Sequence, residues 1–329
     1  MISDVYKELM EKKEEIETKL QFVDDMRTPE IEEIVKDKWI VYTPKETKGS
    51  FIAIDGGEWV KELRTGAIYI ANAEIVKSDE NGISVLDKKA IVDILRPGNR
   101  AKEFISLLMQ LYELKFAYKY GNEADYILVD GSLSKKIGDY IFMDKESSLD
   151  EIEIGDRIYA FSSDNEATRY KYLIAENHVV FANLIEKYKD KLLFISKNNR
   201  STELFNGKVS DVTFFDFLTE GTGYSEPIEK TIDGRNLLSQ MASQKLDNMK
   251  YYSAYVRLSK GAKVLKIDMF SKDVEKIIDL LSTVSIDGYP YPLLKVHKDV
   301  KATKEDIRRF QHILNIKKRS IEWWPNQLF

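Results

Sequence analysis

Two short apolar segments of this 329-residue chain end in the same pair, an aspartate followed by a glycine. They are Phe51-Ile-Ala-Ile-Asp55-Gly56 and Tyr126-Ile-Leu-Val-Asp130-Gly131. Asp-Gly is a common turn sequence, so either pair taken alone indicates only a turn. If the two segments are neighbouring strands of a parallel or mixed sheet, however, both carboxylates emerge at one edge of it. Converging carboxylates attract Mg²⁺ or Mn²⁺, which can drive phosphodiester hydrolysis, and the glycines would let a phosphate approach closely.

A third carboxylate, Glu113, lies on the helix predicted between these two segments. Asn99 is the expected N-cap of that helix, which runs to about Tyr120. Helical periodicity alone places Glu113 away from the main apolar stripe and predicts a solvated side chain. A second apolar arc, which includes Met109 and Phe116, indicates that the helix is covered on two sides, so a functional role for Glu113 stays open.

The elements that must position these carboxylates predict an α/β fold with a mixed β-sheet flanked by helices. Segments 50–57, 66–76, 81–86 and 90–95 read as strands of an antiparallel meander, the first of them ending in a turn at Gly56-Gly57. The later strands are expected at 124–132 and 191–197, followed by two strands within 251–270. Helices are expected at 168–189, 235–247, 271–284 and 303–316, with Ser271 capping the third and a Thr303/Asp306 capping box opening the last.

The first 48 residues are expected to form a separate N-terminal helical segment and connector, followed by one larger domain over 49–329. Apolar residues at three-and-four spacing predict one amphipathic helix over 2–27, docking on a core or on a partner helix. Residues 37–50 read as a polar connector. The apolar C-terminal residues 323–329 either pack on the core or belong to a dimer or motor interface.

Composition excludes several classes of protein. The chain is 43% hydrophobic, which rules out a disordered or fibrous chain, and it contains no cysteine, which rules out disulfide scaffolds, zinc-cysteine sites and thiol catalysis. It also lacks the roughly 18 consecutive apolar residues of a membrane span and begins without a signal segment, so we expect a cytoplasmic protein without membrane contact. The Lys, Glu and Ile content hints at a thermophile.

The charge is unevenly distributed along the chain. The net charge of −5 argues against a nucleic-acid partner at first sight. Residues 245–268 carry +4 and residues 295–319 carry +6, so the remaining residues must total −15. These basic stretches are either solvated faces or phosphate-contacting surfaces, and interleaved tyrosines fit stacking on single strands.

An ordered set of motifs resembles the NurA family of DNA-end-processing nucleases over most of the chain. The set comprises Ile-Asp55-Gly-Gly, the Glu113 helix, Leu-Val-Asp130-Gly-Ser, Phe194-Ile-Ser-Lys197, Gly221-Thr-Gly-Tyr-Ser-Glu-Pro227 and Asp287-Gly-Tyr-Pro-Tyr-Pro-Leu-Leu-Lys-Val-His297. The resemblance implies an RNase H-like core, use of Mn²⁺ or Mg²⁺, and homodimerisation. It also implies single-strand endonuclease and five-prime to three-prime exonuclease activity on DNA ends, with a HerA-type hexameric translocase as partner.

Carried over to this sequence, the resemblance makes Asp55, Glu113 and Asp130 metal-binding carboxylates, with Tyr289 and His297 completing the catalytic site. The residues themselves also favour His297, which follows a strand-like apolar run inside a basic segment and can ligate a metal or move a proton. The side chains expected to contact DNA are Lys197, Lys295 and Lys298. Asp211 and Asp216 are candidate extra ligands, whereas His178 and His312, on helical patterns, are expected to be structural.

Two other functions fit parts of the sequence. In an actin-like or sugar-kinase-like ATPase, the Asp55-Gly-Gly turn would cradle a nucleotide phosphate, although the chain has no second glycine-rich phosphate loop and no Walker-type motif. In a non-catalytic DNA-binding adaptor of a motor ATPase, the carboxylates would be turn residues. Such an adaptor would bind no Mn²⁺ through Asp130.

Overall fold

A mixed sheet of ten strands organises the computed structural model, which describes residues 2–20, 28–63, 66–96, 100–141, 143, 149, 151–206 and 209–315. Its strands are β1 Trp39–Val41, β2 Phe51–Leu63, β3 Gly66–Asp79, β4 Gly82–Leu95, β5 Tyr126–Asp130, β6 Leu192–Ser196, β7 Gly223–Ser225, β8 Ile228–Thr231, β9 Lys250–Arg257 and β10 Leu265–Met269. A separate two-stranded ladder pairs β11 Ser285–Ile286 with β12 Tyr289–Pro290.

Helices precede, connect and cover the strands. They are α1 Ile2–Glu11, α2 Lys13–Leu20, α3 Pro29–Lys38, α4 Ala101–Tyr120, α5 Leu133–Ile137, α6 Glu166–Tyr188, α7 Asp211–Leu218, α8 Gln240–Leu246, α9 Val274–Thr283, α10 Tyr291–Val300 and α11 Lys304–Ile313. Short 3₁₀ turns lie at Tyr159–Ser162, Lys189–Lys191 and Gly234–Asn236. No helix in the described ranges is both long and apolar enough to cross a membrane.

The central strands have the topology of the RNase H fold. Their spatial order is β4-β3-β2-β5-β6, with β2, β3 and β4 antiparallel and β5 and β6 parallel to β2. This order confirms the fold class expected from the sequence. Strands β10, β9, β7 and β1 extend the sheet beyond β6 through antiparallel pairs.

Two strands are longer than the sequence predicted. The ladder between β2 and β3 is unbroken from Phe51 opposite Ser78 to Leu63 opposite Gly66, so β2 passes straight through Gly56-Gly57 and the predicted turn there is wrong. The predicted strands at 81–86 and 90–95 are likewise one strand, β4. Pairing with β3 along their whole length satisfies the backbone groups, which overrides the local turn propensity.

The side chains of β2 alternate between two helical layers, as a period of two requires. Ile52 and Ile54 pack in the core that α4 and α6 cover, whereas Phe51 and Ala53 pack in the core that α9 and α10 cover. By the same alternation Asp55 faces the α10 side. Helix α4 is itself covered twice, by β2 and β3 on one side and by α6 on the other.

The N-terminal segment differs from its prediction. The expected single helix over 2–27 is broken at Lys12 into α1 and α2, and residues 21–27 lie outside the described ranges. The expected connector contains the end of α3 and strand β1. Thr28 caps α3 by accepting a hydrogen bond from the backbone N–H of Ile31, with Pro29 in the first turn, the arrangement that favours helix initiation.

The later helices begin at other residues than predicted, with one exception. Asp273, and not Ser271, caps α9, because its carboxylate accepts from the N–H of Lys276. The helix expected over 235–247 is a 3₁₀ turn followed by the shorter α8. The Thr303/Asp306 capping box of α11 is confirmed. Asn99 and residues 316–329, with the apolar C-terminal segment, lie outside the described part of the chain.

Candidate active site

The aspartates of the two apolar segments lie side by side. Strand β2 pairs in parallel with β5, and the register sets Ile54 opposite Val129, so the next residues, Asp55 and Asp130, lie side by side at the edge of the sheet that the end of β5 forms. Strand β2 itself continues past this edge, paired with β3 as far as Leu63. After Asp130 the chain turns at Gly131, which has a φ of +96°, a conformation that favours glycine. The sequence therefore predicted the convergence of this carboxylate pair correctly.

His297 reaches the same edge from α10. Its Nδ1 donates a hydrogen bond of 2.7 Å to Asp55 Oδ2, while Asp55 Oδ1 accepts from the N–H of Gly56 at 2.9 Å. The Asp55 side chain is 8% exposed and that of His297 is 44% exposed, so the histidine lies on the open side of the pair. The expected strand-like run before His297 is wrong, since Pro290 caps a helix there and Pro292 lies in its first turn.

This arrangement suits a hard divalent cation. One ligand atom each from Asp55, Asp130 and His297 can be chosen so that all three lie within 4.8 Å of one another. Two carboxylate oxygens and an imidazole nitrogen match the donor preferences of Mn²⁺, and the oxygens match those of Mg²⁺. The residues present therefore fit the metal that the sequence predicted.

Glu113 is buried, contrary to the helical periodicity that predicted a solvated side chain. It is 4% exposed, and a Cβ built on Gly56 would lie 2.9 Å from its Oε1. Burial raises the pKa of Glu113, the charge of Lys136 opposes that rise, and repulsion from Asp55 and Asp130 adds to it. Glu113 thus shares the electrostatic environment of both aspartates, but its Oε2 is ion-paired with Lys136.

The two neighbouring aspartates place negative charge in a buried site, which is energetically unfavourable. Burial and the neighbouring Asp130 raise the pKa of Asp55, and the hydrogen bonds from His297 and from the N–H of Gly56 offset part of this rise. A divalent cation between the carboxylates would relieve both the repulsion and the desolvation.

Tyr289, on β12, completes the rim of the site. Burial, the charges of Asp130 and Asp55, and a hydrogen bond with Asp130 all raise the pKa of Tyr289, so its phenol stays protonated. The Nζ of Lys197, at the end of β6, lies 4.1 Å from the centroid of the Tyr289 ring. Lys298 is exposed on α10, whereas Lys295 on the same helix is ion-paired with Asp299.

Lys136 is the residue that sequence reasoning missed. It lies on α5, the short helix that follows Asp130, and its ammonium contacts Glu113. The available signal was its position, six residues after a candidate ligand, in a short helix that must pack beside the site. A lysine in a polar turn sequence otherwise resembles any solvated lysine.

Two other aspartates and two histidines lie outside this arrangement. Asp216 contacts Arg257, Lys263 and the N–H of Val264. His178 is buried between the carbonyl of Ile137 and the N–H of Leu238, which confirms its structural role. His312 is exposed on α11.

Asp211 stabilises a loop, and we expect its replacement to leave the metal site intact. Its carboxylate accepts hydrogen bonds from the N–H groups of Leu204 and Phe205 and from the hydroxyls of Ser201 and Tyr255. Asp211→Ala should therefore lower the free energy of unfolding by about 2–3 kcal/mol, since buried donors lose their partner. Denaturant unfolding and Mn²⁺ titration check this, and weakened Mn²⁺ binding by the folded variant would contradict it.

Part of the basic stretch 245–268 is engaged within the protein, whereas Lys260 and Lys263 are exposed, so a phosphate-contacting surface stays a prediction for those two side chains only. Arg257 and Lys266 are buried, the latter against Asp268, and Lys245 and Lys250 pair with glutamates of the same chain. The interleaved Tyr251 and Tyr255 are buried as well, so neither can stack on a nucleic-acid base.

Comparisons of the sequence and of the fold with known proteins point to one family. The NurA domain model matches residues 49–302. The DNA double-strand break repair nuclease NurA of Sulfurisphaera tokodaii is 50% identical over 331 residues, covering 100% of both chains. The crystal structure of the NurA nuclease from Sulfolobus solfataricus has a TM-score of 0.84 at 35% identity and covers 99% of this chain and 100% of that one. A crystal structure of NurA bound to dAMP and manganese, 16% identical, shares the fold with a TM-score of 0.62 over 97% of each chain.

An RNase H-like sheet with acidic residues and a histidine at one edge, in a chain this similar to named nucleases, defines a metal-dependent nuclease. The family is shown by the NurA domain model, which matches residues 49–302, and by the 50% identity to a NurA relative over the full length. The chain belongs to the NurA family.

Proposed function

We propose that this protein hydrolyses DNA at double-strand breaks with Mn²⁺ or Mg²⁺, as a single-strand endonuclease and a five-prime to three-prime exonuclease. The observation that carries the metal-dependent hydrolysis is the convergence of Asp55, Asp130 and His297 at one sheet edge. The relatives' name, DNA double-strand break repair nuclease, and the dAMP and manganese in a related structure support the substrate and the metal. The strand polarity rests on the family resemblance.

The proposed roles follow from the geometry. Asp55, Asp130 and His297 would hold the metal, with Glu113 as a further ligand. A bound divalent cation supplies an activated water and stabilises the charge that develops on the phosphate. The hydrogen bond with Asp55 fixes the His297 ring, which leaves Nε2 as the nitrogen with a free lone pair. Tyr289 is hydrogen-bonded to Asp130 and would position that ligand. The neighbouring Lys197 can donate hydrogen bonds to phosphate oxygens, and Lys298 and Lys295, the latter after release from Asp299, are the further proposed DNA contacts.

The kinase-like alternative conflicts with the space around the two glycines. A Cβ on Gly56 would lie 2.3 Å from Met109 Cγ, and one on Gly57 would lie 2.1 Å from the carbonyl oxygen of Val300. Protein atoms therefore fill both faces of the segment where a nucleotide phosphate would have to bind.

Cleavage should depend entirely on the metal and on Asp130. We expect five-prime-labelled single-stranded and blunt duplex DNA to be degraded with Mn²⁺ or Mg²⁺ and to stay intact with EDTA. Asp130→Asn should lose cleavage and weaken Mn²⁺ binding by at least about tenfold, since a ligand is removed. Asp190→Asn, at an exposed site after α6, is the matched control. Cleavage without metal would refute the proposal. Calorimetry in which Asp130→Asn binds Mn²⁺ as tightly as the wild type would also refute it, and would favour the adaptor.

The homodimer and the HerA-type hexameric translocase are the proposed partners. The exposed apolar side chains of α1 support a partner surface in the N-terminal segment, 1–48, ahead of the nuclease domain, 49–329. These side chains are Ile2, Val5, Tyr6, Leu9 and Met10. Light scattering of the full chain and of a chain lacking residues 2–11, each with and without HerA, separates the two partnerships. Unchanged masses after the deletion would exclude α1 from both.

A further inference from the structure

A buried lysine lies beside the carboxylate cluster and contacts Glu113. Lys136 is 9% exposed in its side chain, and its ammonium contacts Glu113 Oε2. A Cβ built on Gly131 would lie 3.7 Å from Lys136 Cε, so the lysine stem runs along the turn that follows Asp130. Gln110 Nε2 donates a 2.9 Å hydrogen bond to the Lys136 carbonyl and ties α5 to α4.

The ion pair has an electrostatic reason. Glu113 is buried beside Asp55 and Asp130, and a carboxylate in such a place is costly unless a cation compensates it. Lys136 supplies that cation in the metal-free chain. A divalent ion held by Asp55 and Asp130 would supply the same compensation with a larger charge. The ammonium and the ion therefore compete for one carboxylate.

We propose that Lys136 is a further residue of the nuclease site, which holds Glu113 when no metal is bound, yields that carboxylate to the metal, and then contacts a phosphate of the bound DNA. The proposal rests on the proposed function of this site. An ammonium displaced from Glu113 would remain buried without a partner, and a DNA phosphate provides one. The lysine is pre-positioned for this because α5 begins directly after the Asp130 turn.

Mn²⁺ calorimetry distinguishes competition from a merely structural ion pair. Lys136→Met should bind Mn²⁺ about tenfold more tightly than the wild type, because the competing charge is gone. A structural lysine would give the opposite result, since its loss would disorder Glu113 and weaken binding. Lys135→Met, on the exposed side of the same helix, should leave Mn²⁺ affinity unchanged. Equal or weaker Mn²⁺ binding by Lys136→Met would overturn the proposal.

DNA binding tests the second half of the proposal without any cleavage. In Ca²⁺, the slope of log affinity for a single-stranded oligonucleotide against log salt should fall by about 0.7 in Lys136→Met, as expected for one lost phosphate contact. Lys136→Arg keeps the charge and should keep the slope. An unchanged slope in Lys136→Met would refute the phosphate contact.

Two further measurements separate the role of Lys136 from misfolding of the variant and from failure of the proposed function. If Lys136→Met proves unstable without metal, the double variant Glu113→Gln/Lys136→Met removes both charges and should regain the wild-type melting temperature. That double variant should not show the tightened Mn²⁺ binding, because its ligand is gone, and tightening in it would overturn the competition. A wild type that binds Mn²⁺ but does not cut DNA would refute the nuclease proposal alone, whereas the calorimetry would still decide the role of Lys136.

Discussion

Asp55→Asn should lower DNA cleavage by at least about 10³-fold while the metal-free protein becomes more stable. The loss follows because Asp55 is a proposed metal ligand and is hydrogen-bonded to His297. Metal catalysis contributes several kcal/mol of transition-state stabilisation. The gain follows because the asparagine removes a negative charge that burial and Asp130 disfavour. Activity and stability therefore change in opposite directions.

The size of the stability change depends on pH in a defined way. The pKa of Asp55 is raised in the folded chain, so its stabilising contribution is fully present below the pKa of the unfolded chain and is lost as pH rises through the folded value. Asp55→Asn should thus stabilise the metal-free protein most at neutral and alkaline pH and hardly at all in acid. Added Mn²⁺ should stabilise the wild type at neutral pH but the variant much less.

Thermal unfolding in EDTA and in Mn²⁺ measures this prediction, together with single-turnover cleavage. Asp190→Asn removes an exposed carboxylate and should change neither quantity. If Asp55→Asn cut DNA at the wild-type rate with Mn²⁺, the proposed role of this carboxylate would be wrong. A lower melting temperature in EDTA would instead contradict the electrostatic account of the site.

Gly57→Ala should lower both stability and activity, although the residue is not a ligand. Its Cβ would lie 2.1 Å from the carbonyl oxygen of Val300 and 2.6 Å from Asn72 Oδ1. Val300 is the last residue of α10, so the methyl group must push away the helix that carries His297. We expect overpacking to lower the free energy of unfolding by about 1–3 kcal/mol. We expect activity to fall about 10²-fold, because His297 would be displaced by about 1 Å.

Gly155→Ala is the control for the glycine substitution, because a Cβ there meets no atom within 4 Å. Denaturant unfolding, cleavage rates and Mn²⁺ affinity should all be measured on both variants. Normal Mn²⁺ affinity and normal cleavage in Gly57→Ala would show that α10 tolerates the displacement and that close packing against β2 does not position His297.

The sequence predicted the aspartate pair better than its surroundings. Convergence of Asp55 and Asp130 depends only on two strands being parallel neighbours, which the alternation of strands and helices indicates. A turn was wrongly predicted at Gly56-Gly57 because a glycine pair is a local turn signal. Here the pair makes room for Glu113 and Val300 on opposite faces of one strand, which only the tertiary packing reveals.

The helical site residues were harder to predict from local patterns. The main apolar stripe placed Glu113 on a solvated side, and the second apolar arc predicted two-sided coverage without showing that Glu113 lies within it. Helix α4 is covered by the sheet and by α6, and Glu113 is buried. The Tyr-Pro-Tyr-Pro sequence before His297 reads as extended, yet prolines are tolerated in the first turn of a helix. Lys136 was missed because nothing local separates an ion-paired buried lysine from a solvated one.

The proposed site is distributed over the chain in a way that affects when the enzyme becomes active during synthesis. Its carboxylates belong to the first 130 residues, whereas Tyr289 and His297 come from β12 and α10. The ribosome completes the N-terminal part first, so the sheet edge with its aspartates can exist before the helix that brings the histidine has been made. A growing or truncated chain that stops short of α10 would carry the acidic cluster alone. Such a chain would lack the Tyr289 and His297 side chains of the proposed site.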